Sequence, residues 1–126
     1  MSRWRVDPGL GVPPSRQIVE AVLDRIAAGE FPAGFQLPSV RTLAAEALVN
    51  HNTVARAWRD LEHLGVVAGE NGRGVFVTAA GPRIARELRR KQTLESFERA
   101  LHEALRAGHS LEDLLARIRT NRRNSA

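Results

Sequence analysis

The sequence predicts a mainly α fold of the α+β type: three helices, a small hairpin and a two-helix tail. Three features carry that prediction. Apolar residues recur at helical spacing through successive segments. Asn71-Gly72 stands between two β-prone runs, which is a strong hairpin signal. Ala79-Ala80-Gly81-Pro82 then breaks the pattern, and an uninterrupted helical stretch follows it.

In chain order, Arg3 to Val6 reads as a short extended segment, and the Gly- and Pro-rich Asp7 to Pro14 as a loop. Ser15 is placed to cap a first helix reaching about Ala28, with Ile18, Val22, Leu23 and Ile26 inside and Gly29 as its stop. Phe31 to Gly34 is a turn, and Phe35 to Leu37 a very short strand. Ser39 caps a second helix to about Ala47 and Asn50 caps a third. Val54, Trp58, Leu61 and Leu64 mark the buried face of the third helix, and Gly65 ends it. Val66 to Glu70 and Arg73 to Thr78 are the two arms of the hairpin. Trp58 and Phe76 sit at core spacing. Helix, helix, helix, hairpin is the plan of a winged helix-turn-helix, assigned here to residues 1–81.

Residues 82–126 form the tail. Arg83 to about Ala107 is one long helix stopped by Gly108, and Ser110 with Asp113 approximates a capping box for a last helix. Asn121 to Ala126 is expected to fray. The apolar positions Leu88, Leu94, Phe97, Leu101 and Leu105 on the long helix, and Leu111, Leu114, Leu115 and Ile118 on the short one, exceed what two helices can hide from water alone. Pairing with a second copy covers them, so the tail is read as a dimerisation element.

Composition narrows the class. No apolar run approaches a membrane span, no secretory leader is evident and there is no cysteine, so a cytoplasmic protein is expected. The net charge of +5 is unevenly placed: residues 1–81 hold eight arginines against eight acids, and the excess lies wholly in the tail. No nucleophile–base pair, phosphate loop or metal cluster supports an enzyme, and the scattered His63, His102 and His109 do not suggest a metal. No cofactor is expected.

The chemistry sits at two helix starts. Each begins with a small polar cap and carries an arginine in its first turns: Ser39 with Arg41, and Asn50 with Arg56. Helix N-termini expose unpaired N–H groups and favour anions. Two such ends in tandem suit one polyanion, duplex DNA. His51, Asn52 and Thr53 open the third helix, whose first turn enters the major groove in this motif. Arg73 lies between Gly72 and Gly74 at the hairpin tip, placed to meet the minor groove or phosphate. Arg59 is expected to pair with Glu62 or face solvent. The run Arg83, Arg86, Arg89, Arg90, Lys91 reads as a solvated face, with auxiliary phosphate contact as the alternative.

Residues 13–78 resemble the GntR family of bacterial transcription regulators. The resemblance is carried by Leu37-Pro38-Ser39-Val40-Arg41-Thr42-Leu43-Ala44, by Asn52 to Glu62, by Leu64-Gly65-Val66-Val67 and by Gly72-Arg73-Gly74-Val75-Phe76-Val77, all in order and at the family's spacing. The short tail is similar to the YtrA subfamily, whose tails serve dimerisation. The resemblance implies DNA contact by Arg41, phosphate contact by Thr53 and a homodimeric repressor on a palindromic operator. Three positions depart from the family's pattern. Thr42 stands where an acidic residue is frequent, Ala55 where arginine often follows the Thr-Val pair, and Val75 where threonine is frequent. Ala55 cannot hydrogen-bond a base edge, although it can pack on a thymine methyl. A winged-helix adaptor for protein partners is the alternative reading, and a small-molecule effector at the dimer interface stays open.

Overall fold

The computed structural model describes residues 4–124. Contacts divide the chain into two compact units, one ending at Arg90 and one beginning at Lys91. The first unit contains α1 (Pro14–Ala27), α2 (Val40–Ala47), α3 (His51–Leu64), β1 (Val67–Glu70), β2 (Gly74–Val77) and the start of α4 (Gly81–Arg106). The rest of α4 and α5 (Leu111–Asn124) make the second.

Ile18, Val22, Leu23 and Ile26 on α1 are buried as their spacing predicts, and they share a core with Leu43, Val54, Trp58 and Leu61. Ser15 does not cap α1. Pro13 holds the cap position with no side-chain bond, and Pro14 opens the helix. Proline's fixed φ suits that position, and its missing N–H is one that would be unpaired there anyway. Within the expected loop, Pro8–Leu10 form a 3-10 turn capped by the Asp7 side chain. Trp4, given no role by sequence, is 5% exposed, with the Arg25 guanidinium 4.1 Å from its ring centroid.

The turn from α2 to α3 stores strain. Leu48 adopts φ +57°, the left-handed region, while the residue is 90% exposed. A left-handed conformation costs a non-glycine residue about 1–2 kcal/mol, and exposure means burial does not offset it. Leu48→Gly is therefore expected to raise stability by about 0.5–1 kcal/mol, after allowing for the greater freedom of glycine in the unfolded chain. A higher urea midpoint at unchanged slope checks this.

Leu64 departs from the expected buried face of α3, at 38% exposed. The chain reverses at Gly65 (φ +82°), and Val66, fully buried, takes the core position instead. The hairpin register pairs Glu70 with Gly74, which leaves a three-residue tip of Asn71, Gly72 and Arg73. A two-residue type I′ turn needs positive φ at both central positions. Gly72 has φ +70°, but Asn71 does not share that region. Arg73 thus belongs to the tip, and its N–H donates to the Glu70 carbonyl at 3.0 Å. Phe76, expected in the core, is only half-buried, because the pleat of β2 turns Val75 and Val77 inward.

Residues 34–37 run along the free edge of β2. Gly34 N–H donates to Val77 O at 2.8 Å, Val77 N–H to Phe35 O at 2.9 Å, and Leu37 N–H to Val75 O at 2.8 Å. The expected short strand at 35–37 reduces to a single bridge, Gln36 opposite Phe76.

The break at Gly81-Pro82 does not separate the two units in the structure. A Cβ at Gly81 would lie 2.6 Å from the Val66 carbonyl, so only glycine allows this approach. Ala85 is fully buried, and Ile84 and Leu88 pack against the core. Leu88 was expected on a dimer face; it belongs to the first unit, because the opening turns of α4 close that core. The two units accordingly divide at 90/91 rather than at 81/82.

In the second unit, Gly108 turns the chain at φ +101°, and the Ser110 hydroxyl accepts from Asp113 N–H at 3.1 Å, as the capping pattern predicts. Leu101, Ala104 and Leu114 are half-buried. α5 continues to Asn124 where fraying was expected from Asn121, and Ser125 and Ala126 lie outside the described residues, as does Arg3 of the expected N-terminal extended segment.

Candidate DNA-binding site

Ser39 sits at the start of α2 with extended backbone, and its hydroxyl accepts from Thr42 N–H at 3.0 Å. The same hydroxyl donates to Thr42 Oγ1 at 2.9 Å. Both groups of Thr42 thus meet the Ser39 hydroxyl, which is committed to the helix. Asn50 caps α3 in the same manner, its Oδ1 accepting from Asn52 N–H at 2.8 Å. Such caps stabilise each helix by about 1 kcal/mol and leave further first-turn N–H groups pointing outward.

Arg41, His51, Asn52 and Arg56 are exposed, and Thr53 is half-buried. Ala55 is half-buried as well. Arg16 and Arg25 on α1, Arg73 on the hairpin, and Arg83 and Arg89 on α4 each lie within 4 Å of a carboxylate. Among the described residues, Arg41, Arg56 and Arg59 have no such partner, and neither do Arg5 and Arg86; of the two outcomes expected for Arg59, a pair with Glu62 or exposure to solvent, the structure shows the second. The guanidinium groups of the helix-turn-helix are thus available to an external anion.

At the hairpin tip, the Arg73 side chain is 75% exposed and lies 3.5 Å from Glu70. An exposed pair of this kind is worth at most about 1 kcal/mol, little enough for a phosphate to displace. Gly72 (φ +70°) faces open space. Gly74 has a different reason to be glycine: φ is +122°, and a Cβ there would lie 2.6 Å from Gln36 Nε2.

The α2 start and the hairpin come together. Ser39 and Val40 from α2, Trp58 from α3, and Gly74 and Val75 from β2 line one cleft of about 240 Å³. The basic run is not part of this grouping. Arg83 pairs with Glu87 at 3.5 Å, and Arg89 with Asp24 at 3.7 Å. Sequence reasoning missed Gln36, whose Nε2 donates to the Arg73 carbonyl at 2.8 Å. Its partner is 37 residues away, beyond any local pattern.

Comparison with known proteins agrees with this geometry. Residues 14–77 match the family model described as bacterial regulatory proteins, gntR family. The helix-turn-helix-type transcriptional regulator YhcF of Bacillus subtilis is 35% identical over 104 residues, spanning 82% of this chain and 85% of that protein. The transcriptional repressor YtrA of Bacillus subtilis is 30% identical over 110 residues, spanning 87% and 85%. A solved GntR family transcriptional regulator from Listeria monocytogenes superposes with a TM-score of 0.76 at 28% identity, covering 91% of this chain and 98% of that one. A winged helix with two capped, arginine-bearing helix starts and this extent of likeness leads to one conclusion: the chain belongs to the GntR family of DNA-binding helix-turn-helix transcription regulators.

Proposed function

We propose that the protein is a homodimeric repressor acting in the cytoplasm on a palindromic operator, a binding protein rather than a catalyst. α3 lies in the major groove, with His51 and Asn52 at base edges and Ala55 against a thymine methyl. Arg41 and Arg56 grip the duplex beside it. Phosphates meet the first-turn N–H groups of α2 and α3, since the Ser39 hydroxyl is already engaged by Thr42. Thr53 supports the same backbone, and Arg73 with its flanking Gly72 and Gly74 reaches the next stretch of DNA. The observation that carries this reading is that Arg41 and Arg56, exposed in the early turns of the two side-chain-capped helices, have no carboxylate partner among the described residues.

Dimerisation rests on the second unit. Leu94, Phe97, Leu105, Leu111, Leu115 and Ile118 are each between 40% and 58% exposed, and Leu101 and Leu114 are half-buried beside them. That much apolar surface on two helices is covered by a second copy, which presents two α3 helices to the half-sites of a palindrome. The repressor sense follows the likeness to YtrA.

A gel shift with DNA from immediately upstream of the gene tests the reading. A retarded band is expected, weakening steeply between about 50 and 200 mM salt as displaced counterions demand. A protein adaptor would retard no duplex at any salt concentration.

A further inference from the structure

We propose that Gln36 is a positioning residue for DNA binding: its side-chain amide holds the Arg73 backbone at a fixed offset from the start of α2, so that the hairpin and α2 meet one duplex together. The inference rests on the proposed contact of Arg73 with DNA.

The hairpin tip is otherwise lightly held. Asn71, Gly72 and Arg73 are all exposed, and Gly72 and Gly74 both have positive φ. The turn bond from Arg73 N–H to Glu70 O and the surface pair with Glu70 act within the hairpin alone. Gln36 Nε2, by contrast, reaches across to the Arg73 carbonyl at 2.8 Å. Gln36 is itself fixed on both sides. Its backbone bridges Phe76, and the next residue, Leu37, donates to Val75 O at 2.8 Å. Two residues after Leu37, Ser39 caps α2. One short segment thus bonds the hairpin at one end and begins α2 at the other. Gly74 fits this arrangement, since a side chain there would occupy the place of the Gln36 amide.

A flexible tip must be ordered when it binds, and that ordering subtracts from affinity. A tip already fixed by Gln36 avoids the loss. The bond is exposed, so it contributes little to folding and its effect is read in binding.

The test is a double-mutant cycle on the full chain, using a duplex that the wild-type protein selects from a random-sequence library and fluorescence anisotropy as readout. Gln36→Leu keeps the bulk of the side chain and removes the donor. It is expected to weaken binding about fivefold, with an unchanged melting midpoint. In an Arg73→Ala background the same substitution is expected to change affinity less than twofold, because nothing is left to position. Fivefold losses that multiply in the double variant would overturn the inference, since Gln36 would then act independently of Arg73. So would wild-type affinity for Gln36→Leu beside a weakened Arg73→Ala. If Arg73→Ala itself binds as wild type, the contact of the hairpin with DNA is wrong, and the inference goes with it.

Discussion

Ending the chain after Arg90 is expected to yield a folded monomer whose operator affinity is lower by about two to four orders of magnitude, the advantage that linked sites confer over single ones. The second unit is removed whole, and with it the exposed Leu94, Phe97, Leu105, Leu111, Leu115 and Ile118 that a partner would cover. The first unit keeps Ile84, Ala85 and Leu88 against its core, so its melting transition stays cooperative. Sedimentation and anisotropy measure the two halves of the expectation. A shortened chain that still sediments as a dimer places the interface elsewhere. The site of the cut matters. Ending at Gly81 removes the fully buried Ala85 and its neighbours Ile84 and Leu88. That loss is expected to destabilise the remaining domain by about 2–5 kcal/mol, as for other large deletions from a packed core, and to confuse unfolding with loss of dimerisation.

Arg41→Ala is expected to weaken operator binding by about 1–3 kcal/mol, roughly 5- to 150-fold. Arg41 is exposed in the first turn of α2 and has no carboxylate partner among the described residues. The substitution should therefore leave stability within about 0.5 kcal/mol, and the whole effect appears in binding. Two forms of loss identify the contact. A guanine reader relaxes preference at one position of each half-site, whereas a phosphate contact weakens all sequences alike and lowers the salt slope by about one. Unchanged affinity removes Arg41 from the interface.

The elements that sequence placed well share one property: their signals are local. Ser39 and Asn50 are caps because each lies just before a helix that it can bond within three residues, and the distances of 3.0 and 2.8 Å show both bonds made. Val54, Trp58 and Leu61 are buried because helical spacing alone puts them on one face. The misplaced elements share the opposite property. Asn71-Gly72 signals a two-residue turn, but the pairing of Glu70 with Gly74, made across the hairpin, leaves three residues in the tip. Ser15 has the chemistry of a cap, yet Pro14 opens the helix one residue earlier. Gly81-Pro82 has the composition of a break between units, and its glycine is instead required by the close approach of the Val66 carbonyl, from the segment that joins α3 to β1.

The sequence by itself determined the helix-turn-helix, the hairpin after it, and the arginine-bearing helix starts, since capping, periodicity and turn chemistry act between residues a few positions apart. Only the tertiary structure decided that the opening turns of α4 belong to the core, that Leu88 faces inward, and that Gln36 bonds Arg73. Those outcomes depend on which surfaces meet once the elements have formed. Such meetings join residues tens of positions apart, where no local pattern records the partner.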